Sequence, residues 1–356
     1  MNIVRAVGGI VYPLLSRITE ATRIHERAVA LAAWAQRKPE RLARMAALGT
    51  VRGGVPRGQR LHVRAGGVDL ANPLILPAGF DKDARGMATL HALGFASVVV
   101  GTVLPEPQRG NPPPTIFRPA PGVVLNRMGF PSAGVDAVRP NLAGGGGFPV
   151  GVSVGINRGT PHSEAPAAYA HVVRETHAHA AYFEINVSSP NTPGLRALQN
   201  RDHLRAIIGA IRAETSRPLW IKIAPDLTQP AIYEVIDVAV THGIDAIAAV
   251  NTTNDPAVKA ALGPRWVDEA GGVSGPPLRA RATEVVAYIA AQGVVDVIGV
   301  GGVTDFESLL EKLQAGAKAV GIYTGFVTQG PALPSLLLHQ LDAWLGERTL
   351  TQAFNH

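Results

Sequence analysis

From residue 71 onward the chain repeats one phrase. A short apolar or β-branched run ends in Gly, Asn, Ser or Thr, and a stretch with helical spacing follows. The runs predict strands at 74–78, 97–102, 150–155, 182–187, 219–224, 246–251, 297–301 and 319–324. Helical stretches lie between them, among them 201–214, 230–242, 278–292 and 306–315. The strand runs are continuously apolar instead of alternating, as strands buried on both faces must be. Eight strands alternating with helices over about 275 residues fit a (β/α)8 TIM barrel, whose usual size is about 250 residues. An open doubly wound sheet is the competing architecture, but no GxGxxG opens a first strand–helix turn.

Before this body the pattern changes. Ile3, Val4, Val7, Ile10, Val11, Leu14, Leu15 and Ile18 fall on one helical face, interrupted by Pro13. Ile24, Ala28, Leu31 and Ala35 form a second stripe, with Arg23, Glu26, Arg27 and Arg37 largely off it. Two short amphipathic helices are predicted, making residues 1–45 a small N-terminal extension and 46–356 the barrel. The longest uncharged run here, residues 6–16, holds two glycines and a proline, whereas a membrane span needs ~20 apolar residues. A signal peptide fits Arg5 and the apolar run, but no small-x-small cleavage site follows before Arg17 and Glu20. The helix pair either packs on the body or lies in a membrane interface.

Charge sharpens that choice. Residues 1–64 carry twelve Lys/Arg against three acids, a net +9, so the rest of the +6 chain carries −3. A basic segment on a mildly acidic body suits an anionic partner, a membrane surface or a nucleic acid. The chain contains no cysteine, which excludes disulfides, iron–sulfur clusters, thiolate zinc sites and a cysteine nucleophile. No metal site is expected.

In a barrel, chemistry gathers at the C-terminal ends of the strands. The polar residues concentrate there: Gly79-Phe80-Asp81-Lys82, Gly101-Thr102, Asn186-Val187-Ser188-Ser189-Pro190-Asn191-Thr192 and Asn251-Thr252-Thr253. These supply amide, hydroxyl and ammonium groups for a planar, polar, anionic ligand. Lys222 lies inside an apolar run, where a lone buried charge is costly and a ligand placing negative charge there removes the cost. The alternatives are a surface lysine and one paired with a neighbouring acid. The last two strands end in Gly299-Val300-Gly301-Gly302 and Tyr323-Thr324-Gly325-Phe326. Loops at these positions frequently bind phosphate, and otherwise are tight turns. No histidine and no carboxylate pair falls at a predicted strand end. Ser188 and Ser189 are the conspicuous acid–base candidates, although a serine needs a dry, positively charged pocket to act as a base. Two connections, 104–149 and 253–275, are long enough to be binding loops.

The run Asn186-Val-Ser-Ser-Pro-Asn-Thr-Pro-Gly-Leu-Arg196 resembles the signature of the class 2, quinone-dependent dihydroorotate dehydrogenases. Further matches are Ala78-Gly-Phe-Asp-Lys82, Gly101-Thr-Val103, Asn126-Arg-Met-Gly-Phe130, Lys222-Ile-Ala-Pro-Asp226, Asn251-Thr-Thr253, Gly271-Gly-Val-Ser-Gly275, Gly299-Val-Gly-Gly302 and Tyr323-Thr-Gly-Phe326. The resemblance implies an FMN-containing barrel that oxidises (S)-dihydroorotate to orotate in pyrimidine synthesis and passes electrons to a membrane quinone. It implies that Ser189 is the base. Lys82, Asn126, Arg127, Met128, Gly129, Phe130, Asn186, Asn191, Asn251 and Thr252 would surround the substrate. Ala78, Gly79, Phe80, Asp81, Lys82, Thr102, Ser153, Asn186, Lys222, Val250, Gly275, Gly302, Tyr323 and Thr324 would contact FMN. Thr192 and Phe130 would line the exit of the serine proton, and His25 and Arg118 the quinone path. The absence of cysteine excludes class 1, which uses a cysteine base. Ser153 stands where many members have asparagine, and Val250 where some have threonine. The resemblance further implies a peripheral protein at the cytoplasmic face of the cell membrane, attached through the N-terminal helices, with no nucleic-acid partner. The rivals are a dihydrouridine-synthase-like barrel, which needs a cysteine, and a binding barrel without chemistry, which predicts substitutions at Ser189, Lys82 or Lys222.

Overall fold

The computed structural model describes residues 21–56 and 58–354. The first of the two expected N-terminal helices, on residues 3–18, lies outside the described residues. Its successor is α1 (Ala21–Ala35), followed by α2 (Pro39–Gly49), which runs through residue 45. The strands are β1 (Val63–Ala65), β2 (Val68–Leu70), β3 (Leu74–Leu76), β4 (Ser97–Val103), β5 (Ile116–Phe117), β6 (Val124–Asn126), β7 (Val150–Val154), β8 (Tyr182–Asn186), β9 (Leu219–Ile223), β10 (Ala246–Ala249), β11 (Gly272–Ser274), β12 (Asp296–Val300) and β13 (Ala319–Gly321). The later helices are α3 (Met87–Ala92), α4 (Val135–Leu142), α5 (Ala165–Thr176), α6 (Arg201–Arg212), α7 (Gln229–Thr241), α8 (Pro256–Ala261), α9 (Arg279–Ala290), α10 (Phe306–Gln314), α11 (Thr324–Gln329), α12 (Leu333–Leu345) and α13 (Leu350–Phe354).

Eight strands close a parallel barrel in the order β3-β4-β7-β8-β9-β10-β12-β13, the eight expected from the apolar runs. The residues of β7, β8 and β9 are buried throughout, which is why their sequences do not alternate. Local chemistry sets the helices between them. On α6 the Asn200 side chain accepts from the His203 N–H at 3.0 Å and caps the first turn, while Leu204, Ile207, Ile208 and Ile211 face the barrel. On α10, Asp305 and Ser308 form a reciprocal capping box. Observed bounds fall within a few residues of the expected ones. The clearest difference is Thr324, expected in the last strand, which instead starts α11.

Two features lie beyond the repeat. Strands β1 and β2 form a hairpin under the N-terminal end of the barrel. There the Trp220 indole donates to Gly66 O at 2.8 Å and stacks on Tyr182. At the other end the two long connections meet. Strand β6 pairs antiparallel with both β5 and β11, joining Val124 to Ser274 and Asn126 to Gly272. Val123, Leu125 and Val273 form a small separate core beneath Phe117 and Trp266. The two long loops are therefore one three-stranded cap over the barrel mouth.

The apolar stripe of helix α1 is divided between the core and the cavity. Ala32 and Ala35 are buried, and Val29 packs against the core. Ala28 and Leu31, from the expected stripe, are exposed, Leu31 at 48%. Ile24, Ala28 and Leu31 of the stripe border a cavity, while Ala35 of the same stripe is buried beside Ala32 and Ala33. No helix among the described residues is long and apolar enough to cross a membrane.

Candidate active site

The C-terminal ends of the barrel strands, the cap and α1 enclose a cavity of about 520 Å³. Ser189, Lys82, Asn126, Met128, Gly129, Phe130, Asn186, Asn191, Asn251 and Thr252 all border it. So do Ala78, Gly79, Phe80, Thr102, Lys222, Val250, Gly275, Gly302, Tyr323 and Thr324. His25 and Arg118 border it too, beside Ile24, Ala28, Leu31 and Met45 of the helix pair. Every barrel strand except β7 contributes to one space, through its last residues or those just beyond it, and so do both long connections.

The two serines of the β8 loop have different surroundings. Ser188 is fully buried, donates to Asn186 Oδ1 at 3.2 Å, accepts from Asn251 Nδ2 at 3.0 Å, and does not border the cavity. Its hydroxyl joins two strand ends. Ser189 is nearly buried, borders the cavity, and accepts from the Asn191 backbone N–H at 3.2 Å. Of the pair, only Ser189 borders the cavity.

The amides are organised before any ligand binds. Asn191 Nδ2 donates to Asn126 Oδ1 at 3.1 Å, joining the β8 loop to the cap. Asn186 Nδ2 donates to Thr102 Oγ1 at 2.8 Å. Asn251 Oδ1 accepts the Thr252 N–H at 2.8 Å. The Thr252 hydroxyl is buried and has no hydrogen-bond partner within the chain. Thr252 borders the cavity, and a buried hydroxyl without a partner calls for an explanation that a ligand there would supply.

Lys82 sits at the α1 end of the cavity. Burial lowers its pKa to about 8, opposed by the charges of Asp83, Asp81 and Glu26. Its Nζ lies 3.3 Å from His25 Nε2. Burial, and then the Lys82 charge, lower the His25 pKa to about 3, so that imidazole is neutral at pH 7 and accepts from the ammonium.

Three residues expected at a ligand, Asp81, Arg127 and Ser153, and Thr192 of the expected proton path do not border the cavity. The buried Asp81 carboxylate instead accepts the N–H groups of Arg85 and Gly86 at 2.8 and 2.7 Å, closing the turn before α3. Arg127 donates to Pro114 O at 2.9 Å, approaches Glu269 and lies over the Phe117 ring, so its charge serves the cap. Ser153 is buried behind Thr102, with the two hydroxyls 3.2 Å apart. The Thr192 hydroxyl is buried without a partner in the chain, beyond the cavity wall.

Sequence reasoning missed Glu184. It lies buried on β8, and its Oε1 is 3.7 Å from Lys222 Nζ on β9. Lys222 is therefore paired within the chain, an alternative that the sequence left open. The signal was one acid and one base, each inside an apolar run of adjacent strands. Arg196 was also quoted without a role. It donates to the carbonyls of Ser188 and Thr252, both at 3.0 Å, and to Asp226 and Asn254 at 2.7 and 2.8 Å. It ties together the loops that follow β8, β9 and β10.

One end of the cavity is walled by glycine. A Cβ on Gly302 (φ +76°) would enter the Arg279 backbone, and one on Gly275 (φ +97°) would enter Gly122 O. Both positions require the positive φ that glycine tolerates. With Thr324 alongside, they line this end of the cavity, and glycines of this kind are what a main-chain phosphate cradle requires. Among the described residues no group of three or more His, Asp or Glu side chains could hold a metal ion.

Residues 60–345 match the family model described as dihydroorotate dehydrogenase. A protein of Anaeromyxobacter sp. (strain Fw109-5) named dihydroorotate dehydrogenase (quinone) is 44% identical over 338 residues, covering 88% of this chain and 93% of that one. A protein of the same name from Thermus thermophilus is 44% identical over 286 residues, covering 78% and 82%. The crystal structure of an Eimeria tenella dihydroorotate dehydrogenase in complex with ferulenol superposes with a TM-score of 0.82 at 32% identity, covering 94% of each chain.

Proposed function

Because the chain belongs to the dihydroorotate dehydrogenase family, we propose that it oxidises (S)-dihydroorotate to orotate in pyrimidine synthesis, with FMN as bound hydride acceptor and a membrane quinone as final oxidant. The observation that carries this reading is the convergence of Ser189, Lys82, four asparagines and the orphan Thr252 hydroxyl on the cavity walled at one end by Gly275 and Gly302.

The residues fit both ligands. Gly275, Gly302, Tyr323 and Thr324 would hold the FMN phosphate end, and Ala78, Gly79, Phe80, Thr102 and Val250 would line its body. When bound, FMN supplies the acceptor for the C6 hydride and relays electrons to the quinone. Lys222, held by Glu184, would donate to the flavin pyrimidine end, and because that pair is neutral overall it acts as a fixed donor, not a lone cation. Lys82 would bind the substrate carboxylate. Asn126, Asn186, Asn191, Asn251 and Thr252 would orient the ring, and Met128, Gly129 and Phe130 would exclude water above it.

Ser189 Oγ would take the C5 proton. The Asn191 N–H already points at that oxygen and would stabilise the charge that develops there. Thr192, whose hydroxyl lacks a partner within the chain, would receive the proton on its way out past Phe130.

The exposed Leu31, Trp34 and Leu48 on α1 and α2, beside the basic residues of the segment, support peripheral attachment to the cytoplasmic face of the cell membrane. His25 and Arg118 would flank the quinone route between that surface and the cavity.

The test is the visible spectrum of the purified protein. A flavin spectrum that bleaches with anaerobic dihydroorotate and recovers with a soluble quinone supports both half-reactions. A flavin that dihydroorotate leaves oxidised overturns the substrate, and a protein that cannot take up FMN overturns the whole reading.

A further inference from the structure

The segment that carries Lys82 is gripped by α1 and by the residue just beyond it. The Gln36 carboxamide makes two bonds to that segment's backbone, donating to Arg85 O at 2.6 Å and accepting from Ala88 N at 3.0 Å. The Thr89 hydroxyl donates to Ala32 O at 2.8 Å. A Cβ on Gly86 would lie 2.8 Å from the Ala32 Cβ, so glycine lets the helix approach this closely. His25 packs edge-on against Phe80, with ring centroids 5.0 Å apart, and faces the Lys82 ammonium. These contacts fall on residues 80–89, the turn that Asp81 closes from within.

We propose that α1 is the positioning element of the substrate lysine: Gln36 fixes the backbone of the Lys82 turn and His25 fixes its ammonium, so the N-terminal helix sets affinity for the dihydroorotate carboxylate as well as shaping the cavity mouth. This rests on the functional reading above, in which Lys82 meets that carboxylate. Lysine has a flexible four-carbon stem, and an ammonium already held at one donor loses less freedom when an anion binds than a free one does. The neutral His25 ring takes one of its three donors and leaves the others for the ligand. Gln36 does not border the cavity and acts at a distance, through the turn.

The experiment uses the full-length, flavin-loaded protein and reads orotate binding from the perturbation of the flavin spectrum, beside steady-state kinetics with dihydroorotate. Gln36→Ala is expected to weaken orotate binding and raise the dihydroorotate KM roughly tenfold, the scale of lost hydrogen bonds. Flavin content and kcat should stay close to those of the parent. His25→Ala should weaken orotate to a similar degree, and His25→Gln, which keeps an acceptor, should restore most of it. A structural role alone would lower thermal stability or quinone turnover without this KM-selective effect. Orotate affinities within twofold of the parent in both Gln36→Ala and His25→Ala would overturn the proposal. If Gln36→Ala loses its flavin, the His25→Ala and His25→Gln pair decides. A parent protein whose flavin does not respond to orotate would instead overturn the functional reading, and this inference with it.

Discussion

Lys222 Nζ on β9 stands 3.7 Å from Glu184 Oε1 on β8, and both side chains are buried in the barrel. Breaking such a pair on one side leaves the other charge uncompensated, at about 3–5 kcal/mol. Lys222→Met alone should lower thermal stability and flavin content together. Adding Glu184→Gln should recover most of the stability without recovering the rate of flavin reduction, because the donor to the flavin is still missing. Thermal melts and stopped-flow reduction of the single and double variants check this. Equal rates in the double variant and the parent would reduce Lys222 to a structural residue.

Ser189→Ala should retain flavin and bind orotate, since the hydroxyl is one small contact among many. Its flavin reduction by dihydroorotate should slow by about 10²–10⁴, the usual contribution of a general base. Ser188→Ala removes instead the bridge between Asn186 and Asn251 and should act mainly on KM. Parental reduction rates in Ser189→Ala would remove it from the role of base.

Lys82 gives the pH dependence its sign. Burial lowers its pKa to about 8, and a bound carboxylate would stabilise the ammonium. Orotate affinity should be flat below that value. Above it, affinity should fall by about tenfold per pH unit, because binding then requires proton uptake. Lys82→Ala should bind orotate weakly with no such slope. Titrations from neutral to strongly alkaline pH separate the two, and a parental affinity that does not fall above the Lys82 pKa would count against Lys82 as the carboxylate ligand.

Arg196 joins three strand-end loops through four acceptors. A lysine there presents a point charge instead of a planar fork and cannot serve carbonyls in both the β8 and β10 loops together with Asp226. Arg196→Lys should slow flavin reduction by roughly tenfold or more while flavin content is preserved, since small misplacements of reacting groups are costly. A parental reduction rate would mean that the loops hold their positions unaided.

The alternation of strands and helices was legible from the chain because its causes are local. Continuous apolar runs make doubly buried strands, and caps such as Asn200 and Asp305 start helices wherever they occur. Strand ends were legible too, so most of the residues named from position and from family resemblance do border the cavity. What each side chain faces was decided elsewhere. Asp81 is drawn to the N–H groups of its own turn, Arg127 to the cap, Ser153 to Thr102, and α1 buries Ala32 while Leu31 of its apolar stripe stays exposed. The pairing of Lys222 with Glu184, of β6 with β11 across 150 residues, and of Gln36 with the Lys82 turn are contacts between distant parts of the chain. Periodicity along a chain specifies which face of an element is apolar, but it carries no record of which neighbour that face will meet. That is set when the barrel closes and its loops compete for the same space.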